Sequence, residues 1–153
     1  MKIRIASDHA GLDLKLALVP YLRDELGCEV DDIGTHSTES CDYPGYAVPV
    51  AEAAAAGEVD LGILICGTGV GMSVAANKVV GAVAALCGDA YTARMARAHN
   101  DANVLCLGGR VIGIEIARDI VREFAAGAPD EGERYARRRR QVAEIHNLHG
   151  RGD

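Results

Sequence analysis

The run Cys66-Gly67-Thr68-Gly69-Val70-Gly71 places a reactive side chain directly before glycines at alternate positions. Such glycines let the backbone approach a ligand closely and aim several N–H groups at one point. A helix starting at the end of the turn adds positive potential, so the turn suits an anion. The same field favours a thiolate at Cys66. A base beside converging amides is what proton abstraction next to a carbonyl requires, because the intermediate is an enediolate. Taken alone, the turn also fits a dinucleotide-binding connection or a Gly-rich link with an inert cysteine, although its spacing is not G-x-G-x-x-G. A cysteine phosphatase would need an arginine six positions after Cys66 to fork onto phosphate. Met72 stands there, which removes that reading.

Three other groups carry possible chemistry. Asp8-His9 can orient an imidazole or donate to an oxygen, while Asp8 by itself reads as a helix cap. His99, in Ala98-His99-Asn100-Asp101-Ala102-Asn103, titrates near working pH and can accept or donate a proton. Its neighbours Asn100, Asp101 and Asn103 serve equally well as turn formers. The basic series comprises Arg110 and, in the last helix, Arg134 and Arg138, which stand four apart on one face. Two guanidinium forks on one face suit a phosphate dianion. Arg137, Arg139 and Arg140 read as a solvated basic face. No Cys or His pair has zinc-ligand spacing within a rigid element, so no metal or other cofactor is expected.

These residues have to be positioned by elements that the rest of the chain encodes. Short apolar runs alternate with helical patterns. Strands are expected at about 2–6, 28–33, 61–66, 82–87 and 103–107, and helices at about 12–26, 44–57, 72–78, 90–99, 111–126 and 131–148. The run LGILIC at 61–66 is almost wholly apolar, as in a central strand buried on both faces. Strand–helix alternation with short connections predicts an α/β fold: a Rossmann-like, three-layer αβα arrangement around a five-stranded parallel sheet. Ligands of such sheets bind beyond the carboxyl ends of the strands. Ser7-Asp8-His9, Cys66 with its turn, and Gly108-Gly109-Arg110 all fall at such ends. The last helix carries more arginines than its own domain can pack and is expected to reach a partner subunit.

Length and composition set the outer limits. The 153 residues suit one domain, expected over 1–149 with a disordered tail at 150–153. Hydrophobic residues make up 49% of the chain, with one Phe and no Trp, so the core is aliphatic. A net charge of -6 and the lack of stacking aromatics argue against nucleic-acid and anionic-membrane partners. No apolar stretch is long and uncharged enough to span a bilayer, and residues 1–7 enter a strand with no signal-peptide pattern. The five cysteines form an odd set without C-x-x-C spacing, which fits a reduced, cytoplasmic protein.

With these motifs in order, the chain resembles the type B ribose-5-phosphate isomerase family and the related galactose-6-phosphate and allose-6-phosphate isomerases. The resemblance runs through Ser-Asp-His-Ala-Gly at 7–11, Asp-Tyr-Pro at 42–44, Gly-Ile-Leu-Ile-Cys-Gly-Thr-Gly-Val-Gly at 62–71 and Ala-Ala-Asn-Lys at 75–78. It continues through Ala-Arg-Ala-His-Asn-Asp-Ala-Asn at 96–103 and Gly-Gly-Arg at 108–110. It implies a metal-independent aldose–ketose isomerisation of ribose 5-phosphate and ribulose 5-phosphate. It also implies a homodimer, often paired into a tetramer, with sites between subunits. By resemblance, Cys66 shuttles the proton between C1 and C2, Thr68 assists proton movement between the oxygens, and His99 opens the furanose ring. Gly67, Gly69, Val70 and Gly71 form the anion-stabilising nest. Asp8, His9, Tyr43 and Asn100 match substrate contacts, and Arg110, Arg134 and Arg138 match the phosphate grip. The family often has Gly-Arg-His where this chain has Glu133-Arg134-Tyr135, and the arginine run leaves Arg137 as a substitute for Arg138. Two alternatives stand beside this reading. The same chemistry could act on a tetrose phosphate, a hexose phosphate or a free aldose, or the glycine turn could hold a nucleotide in a non-catalytic, stress-type module.

Overall fold

The two strands buried at every position lie side by side within the sheet. In the computed structural model, which describes residues 1–149, Leu61–Cys66 (β3) and Val104–Gly108 (β5) are buried at every position. Lys2–Ser7 (β1) lies on the other side of β3, with Glu29–Asp32 (β2) and Ala84–Leu86 (β4) at the two edges. The order is β2-β1-β3-β5-β4, and every pairing is parallel. The tail expected at 150–153 lies outside the described residues.

Five helices cover the sheet, Leu12–Pro20 (α1), Pro44–Ala55 (α2), Val70–Ala76 (α3), Ala90–Asn100 (α4) and Ile114–Ala126 (α5), and Glu133–His149 (α6) packs outside them. Side-chain alternation along each strand sorts the core into two layers. Ile63 and Ile65 pack with Leu18 of α1, Leu22 just after it, and Ile120 and Phe124 of α5. Leu64 and Cys66 face the other way, onto Val50, Ala51 and Met72 of α2 and α3. The expected three-layer αβα class is what the chain adopts, and its core is aliphatic apart from Phe124 and Tyr21.

Several boundaries differ from the periodicity, each for a local reason. The first helix widens over Tyr21–Glu25, where the Leu26 N–H reaches back to the Tyr21 carbonyl at 3.1 Å. Pro20 lacks an N–H and its ring crowds the preceding turn, so the regular ladder cannot continue through it. The strand expected at 82–87 is only Ala84–Leu86. The segment before it is held instead by side chains, because Asn103 accepts from the Val83 N–H at 2.8 Å and donates to the Gly81 carbonyl at 3.0 Å. Asn103 is thus a turn former, as is Asp101, which ends α4 with φ of 51°.

One buried ion pair ties the front of the sheet to α1. Lys15 is fully buried, and its Nζ lies 2.7 Å from Asp32 Oδ1 at the end of β2. The last helix, α6, touches the body mainly through α4. Val142, Ile145 and Leu148, three residues apart along it, are exposed. No helix among the described residues is long and apolar enough to cross a membrane.

Candidate active site

The strand order gathers the three sequence clusters. β1, β3 and β5 are neighbours, so the segments after Ser7, Cys66 and Gly108 leave the same edge of the sheet side by side. β1 leads to β2 on one side and β3 lies on the other, which opens a crevice between the turns. Backbone bonds lock the three exits together. The Asp8 N–H donates to the Ile65 carbonyl at 3.1 Å, the Gly109 N–H to the Cys66 carbonyl at 2.8 Å, and the Arg110 N–H to the Gly67 carbonyl at 3.0 Å.

Cys66 sits at the floor of this crevice, 5% exposed, with its sulfur accepting the Gly69 N–H at 3.1 Å. Gly69 makes that contact because it adopts φ of 78°, where side chains are strained. A Cβ there would also meet Leu86 Cδ1 at 2.5 Å and the Leu107 carbonyl carbon at 2.9 Å. The Thr68 hydroxyl accepts the Val70 N–H at 3.3 Å and is exposed, which leaves its own proton available to a ligand. Amides in the first turn of α3 have no helical acceptor and add further donors. The Arg110 side chain runs beside the turn, its Cδ 3.6 Å from where a Gly67 Cβ would stand. The Tyr43 ring lies over the start of α3, within 2.9 Å of a Cβ built on Gly71.

Asp8 and His9 complete this half. Asp8 does not cap α1, whose first residue is Leu12. Its Oδ1 accepts instead from the N–H groups of Ala10 (2.9 Å) and Gly11 (3.1 Å), which tightens the turn that presents His9. His9 Nδ1 accepts the Cys41 N–H at 3.2 Å, so in the neutral ring the proton is on Nε2. Ser7, from the same motif, faces inward and is fully buried.

The remaining residues lie elsewhere. α4 starts after the carboxyl end of β4 and returns, so His99 and Asn100 reach the amino-terminal edge, just before β5 begins. The five residues of β5 alone separate that edge from Cys66 by roughly 13 Å. There His99, Asn100, Tyr135, Arg138, Arg139, Val83 and Val142 line a cavity of about 220 Å³. Of the two candidate arginines, Arg138 lines this cavity and Arg137 does not. Arg134 lies nearby, its guanidinium 4.6 Å from the Tyr135 ring centre. One chain therefore divides the predicted set into two groups, with Cys66, Thr68, Asp8, His9, Tyr43 and Arg110 in one and His99, Asn100, Arg134 and Arg138 in the other. Motif reading missed Tyr135, whose ring stacks on His99, and Cys41, whose amide fixes His9. Neither has a spacing signal, since each acts across a tertiary contact. No group of three or more metal-ligating side chains occurs among the described residues.

Comparison with known proteins places the chain in a family. The Ribose/Galactose Isomerase family model matches residues 3–142. A curated relative from Escherichia coli, ribose-5-phosphate isomerase B, is 51% identical over 144 residues, covering 94% of this chain and 95% of the relative. The structure of a Clostridium thermocellum ribose-5-phosphate isomerase B superposes with a TM-score of 0.92 at 51% identity, covering 97% of this chain and 99% of that one. A Mycoplasma genitalium ribose-5-phosphate isomerase B with bound ribulose 5-phosphate gives a TM-score of 0.87 at 42% identity, covering 95% and 96%.

Proposed function

The chain belongs to the ribose/galactose isomerase family, and from that premise we infer that it interconverts ribose 5-phosphate and ribulose 5-phosphate. The observation that carries the chemistry is the Cys66 sulfur, fixed by the Gly69 amide at 3.1 Å in a crevice bordered by Arg110. In the open-chain aldose, the Cys66 thiolate removes the proton on C2, and the electron pair moves to the carbonyl oxygen to give a cis-enediolate. Amides of the 67–71 turn not already given to the Cys66 sulfur or the Thr68 hydroxyl stabilise that oxygen, while the Thr68 hydroxyl helps the proton on O2 pass to O1. The thiol then returns the proton to C1, giving the ketose with no net change in atoms or electrons.

The furanose must first open. We assign that step to His99, which passes a proton to the ring oxygen as the anomeric hydroxyl loses one. Asp8, His9, Tyr43 and Asn100 contact the sugar, and Arg110, Arg134 and Arg138 grip the phosphate through charge-assisted bonds. Because His99 and Cys66 stand at opposite edges of one sheet, the reaction requires two copies of the chain. Each copy contributes one half-site to a shared centre in a homodimer. The exposed apolar residues of α6 and of α3 (Val70, Val74) support such a contact. Five free cysteines support a reduced, cytoplasmic setting.

The test is turnover of ribose 5-phosphate beside four- and six-carbon aldose phosphates and a free aldose. The five-carbon phosphate is expected to be preferred. Cys66→Ala is expected to lose about 10²–10⁴-fold in kcat with substrate affinity nearly intact. An active Cys66→Ala enzyme would remove the base assignment. Tight nucleotide binding without isomerase turnover would favour the stress-type module instead.

A further inference from the structure

Tyr135 stands where the family often has histidine, and it touches two functional groups at once. Its ring stacks on His99 with centres 4.3 Å apart and planes 9° from parallel. The Arg134 guanidinium lies 4.6 Å from the same ring centre and also donates to the Tyr135 hydroxyl. Tyr135 lines the cavity with Asn100 and Arg138 as well. His99 comes from α4 and Arg134 from α6, so no covalent geometry fixes one relative to the other. The ring does.

We propose that Tyr135 is a positioning residue that holds the ring-opening imidazole of His99 and the phosphate-binding guanidinium of Arg134 in one fixed arrangement. A furanose phosphate spans a set distance from ring oxygen to phosphate, so both groups must be in place together. An imidazole free to rotate on its side chain would present its nitrogen to the ring oxygen only part of the time, and small misplacements of reacting groups reduce rates steeply. The stack removes that rotation through a parallel aromatic contact. The cation–π contact and hydroxyl bond anchor Arg134 separately. The ring thus serves both His99 and Arg134, while the hydroxyl serves Arg134 alone. This inference rests on the isomerase reading given above.

Two variants separate these roles. Tyr135→Phe keeps the ring and removes the hydroxyl, so KM for ribose 5-phosphate is expected to rise about threefold to tenfold while kcat stays within about twofold of wild type. Tyr135→Leu removes both, so kcat is expected to fall about tenfold or more in addition. Proton NMR of the His99 ring, assigned with His99→Asn, should show a ring-current shift present in wild type and Tyr135→Phe and lost in Tyr135→Leu. Thermal melting of both variants checks that α6 stays folded. A Tyr135→Leu protein with wild-type kcat would overturn the proposal, as would a Tyr135→Phe protein that loses kcat equally. Those results would leave Tyr135 as a structural staple between α4 and α6. A wild-type chain that does not turn over ribose 5-phosphate would fail the isomerase reading itself and the positioning role with it. The NMR arm would then still report whether the stack exists.

Discussion

Mixing two inactive variants should restore activity. Cys66→Ala breaks the half-site at the carboxyl edge of the sheet, and His99→Asn breaks the one at the amino edge. Within a chain these positions are separated by the length of β5, roughly 13 Å, so no side-chain motion joins them. In the proposed symmetric dimer each centre would take Cys66 from one copy and His99 from the other. A homodimer of either variant has two defective centres. A mixed dimer has one centre lacking both groups and one with both intact. If the two chains are unfolded together and reassociate at random, half of the dimers are mixed, and each of those has one working centre of two. The expected recovery is about one quarter of wild-type turnover. The assay is ribulose 5-phosphate formation after refolding the 1:1 mixture, beside each variant refolded alone. A mixture no more active than the average of the separate variants would refute the shared-site argument.

Other outcomes follow from the same geometry. Lys15→Met leaves the Asp32 carboxylate at the end of β2 without its partner, and chemical denaturation should show a loss of about 3 kcal/mol. Gly69→Ala imposes a side chain on a positive φ and pushes it into Leu86 and Leu107. That moves the amide holding the Cys66 sulfur, and kcat should fall about 10²-fold with the fold retained by circular dichroism. Burial pushes the Cys87 thiol from near 9 up to about 11, with Asp89 adding to the effect, and burial raises Cys28 and Cys106 as well. The folded chain therefore keeps protons that the unfolded chain has released, so stability is full below pH 9 and declines as pH rises toward 11. Urea midpoints between pH 8 and pH 10.5 should fall less steeply for Cys87→Ala than for wild type, and equal slopes would contradict this account.

The pattern of runs and motifs made much of the fold legible, because hydrophobic periodicity and turn residues act locally. The strands that the sequence suggested at 2–6, 61–66 and 103–107 agree with the structure within a residue. The periodicity overran at 28–33 and 82–87, where apolar residues at the strand ends fill the core beyond the regular ladder. Asp8 read as a helix cap because the signal for a cap and for a tight turn is the same residue type before a helix. The amides it meets, those of Ala10 and Gly11, depend on where α1 actually starts.

What the sequence alone determined was the αβα class, the three clusters at strand ends, and the cysteine set against a glycine turn. Each follows from residues close together in the chain. Strand order was decided only in three dimensions, since it is set by which hydrophobic faces pack across long crossovers. That order places β1, β3 and β5 side by side and brings Asp8, Cys66 and Arg110 to one crevice. The return direction of α4 was decided there too, and it carries His99 to the opposite edge and onto Tyr135. Motifs specify which groups are present, whereas the packing of helices on the sheet fixes which of them can meet.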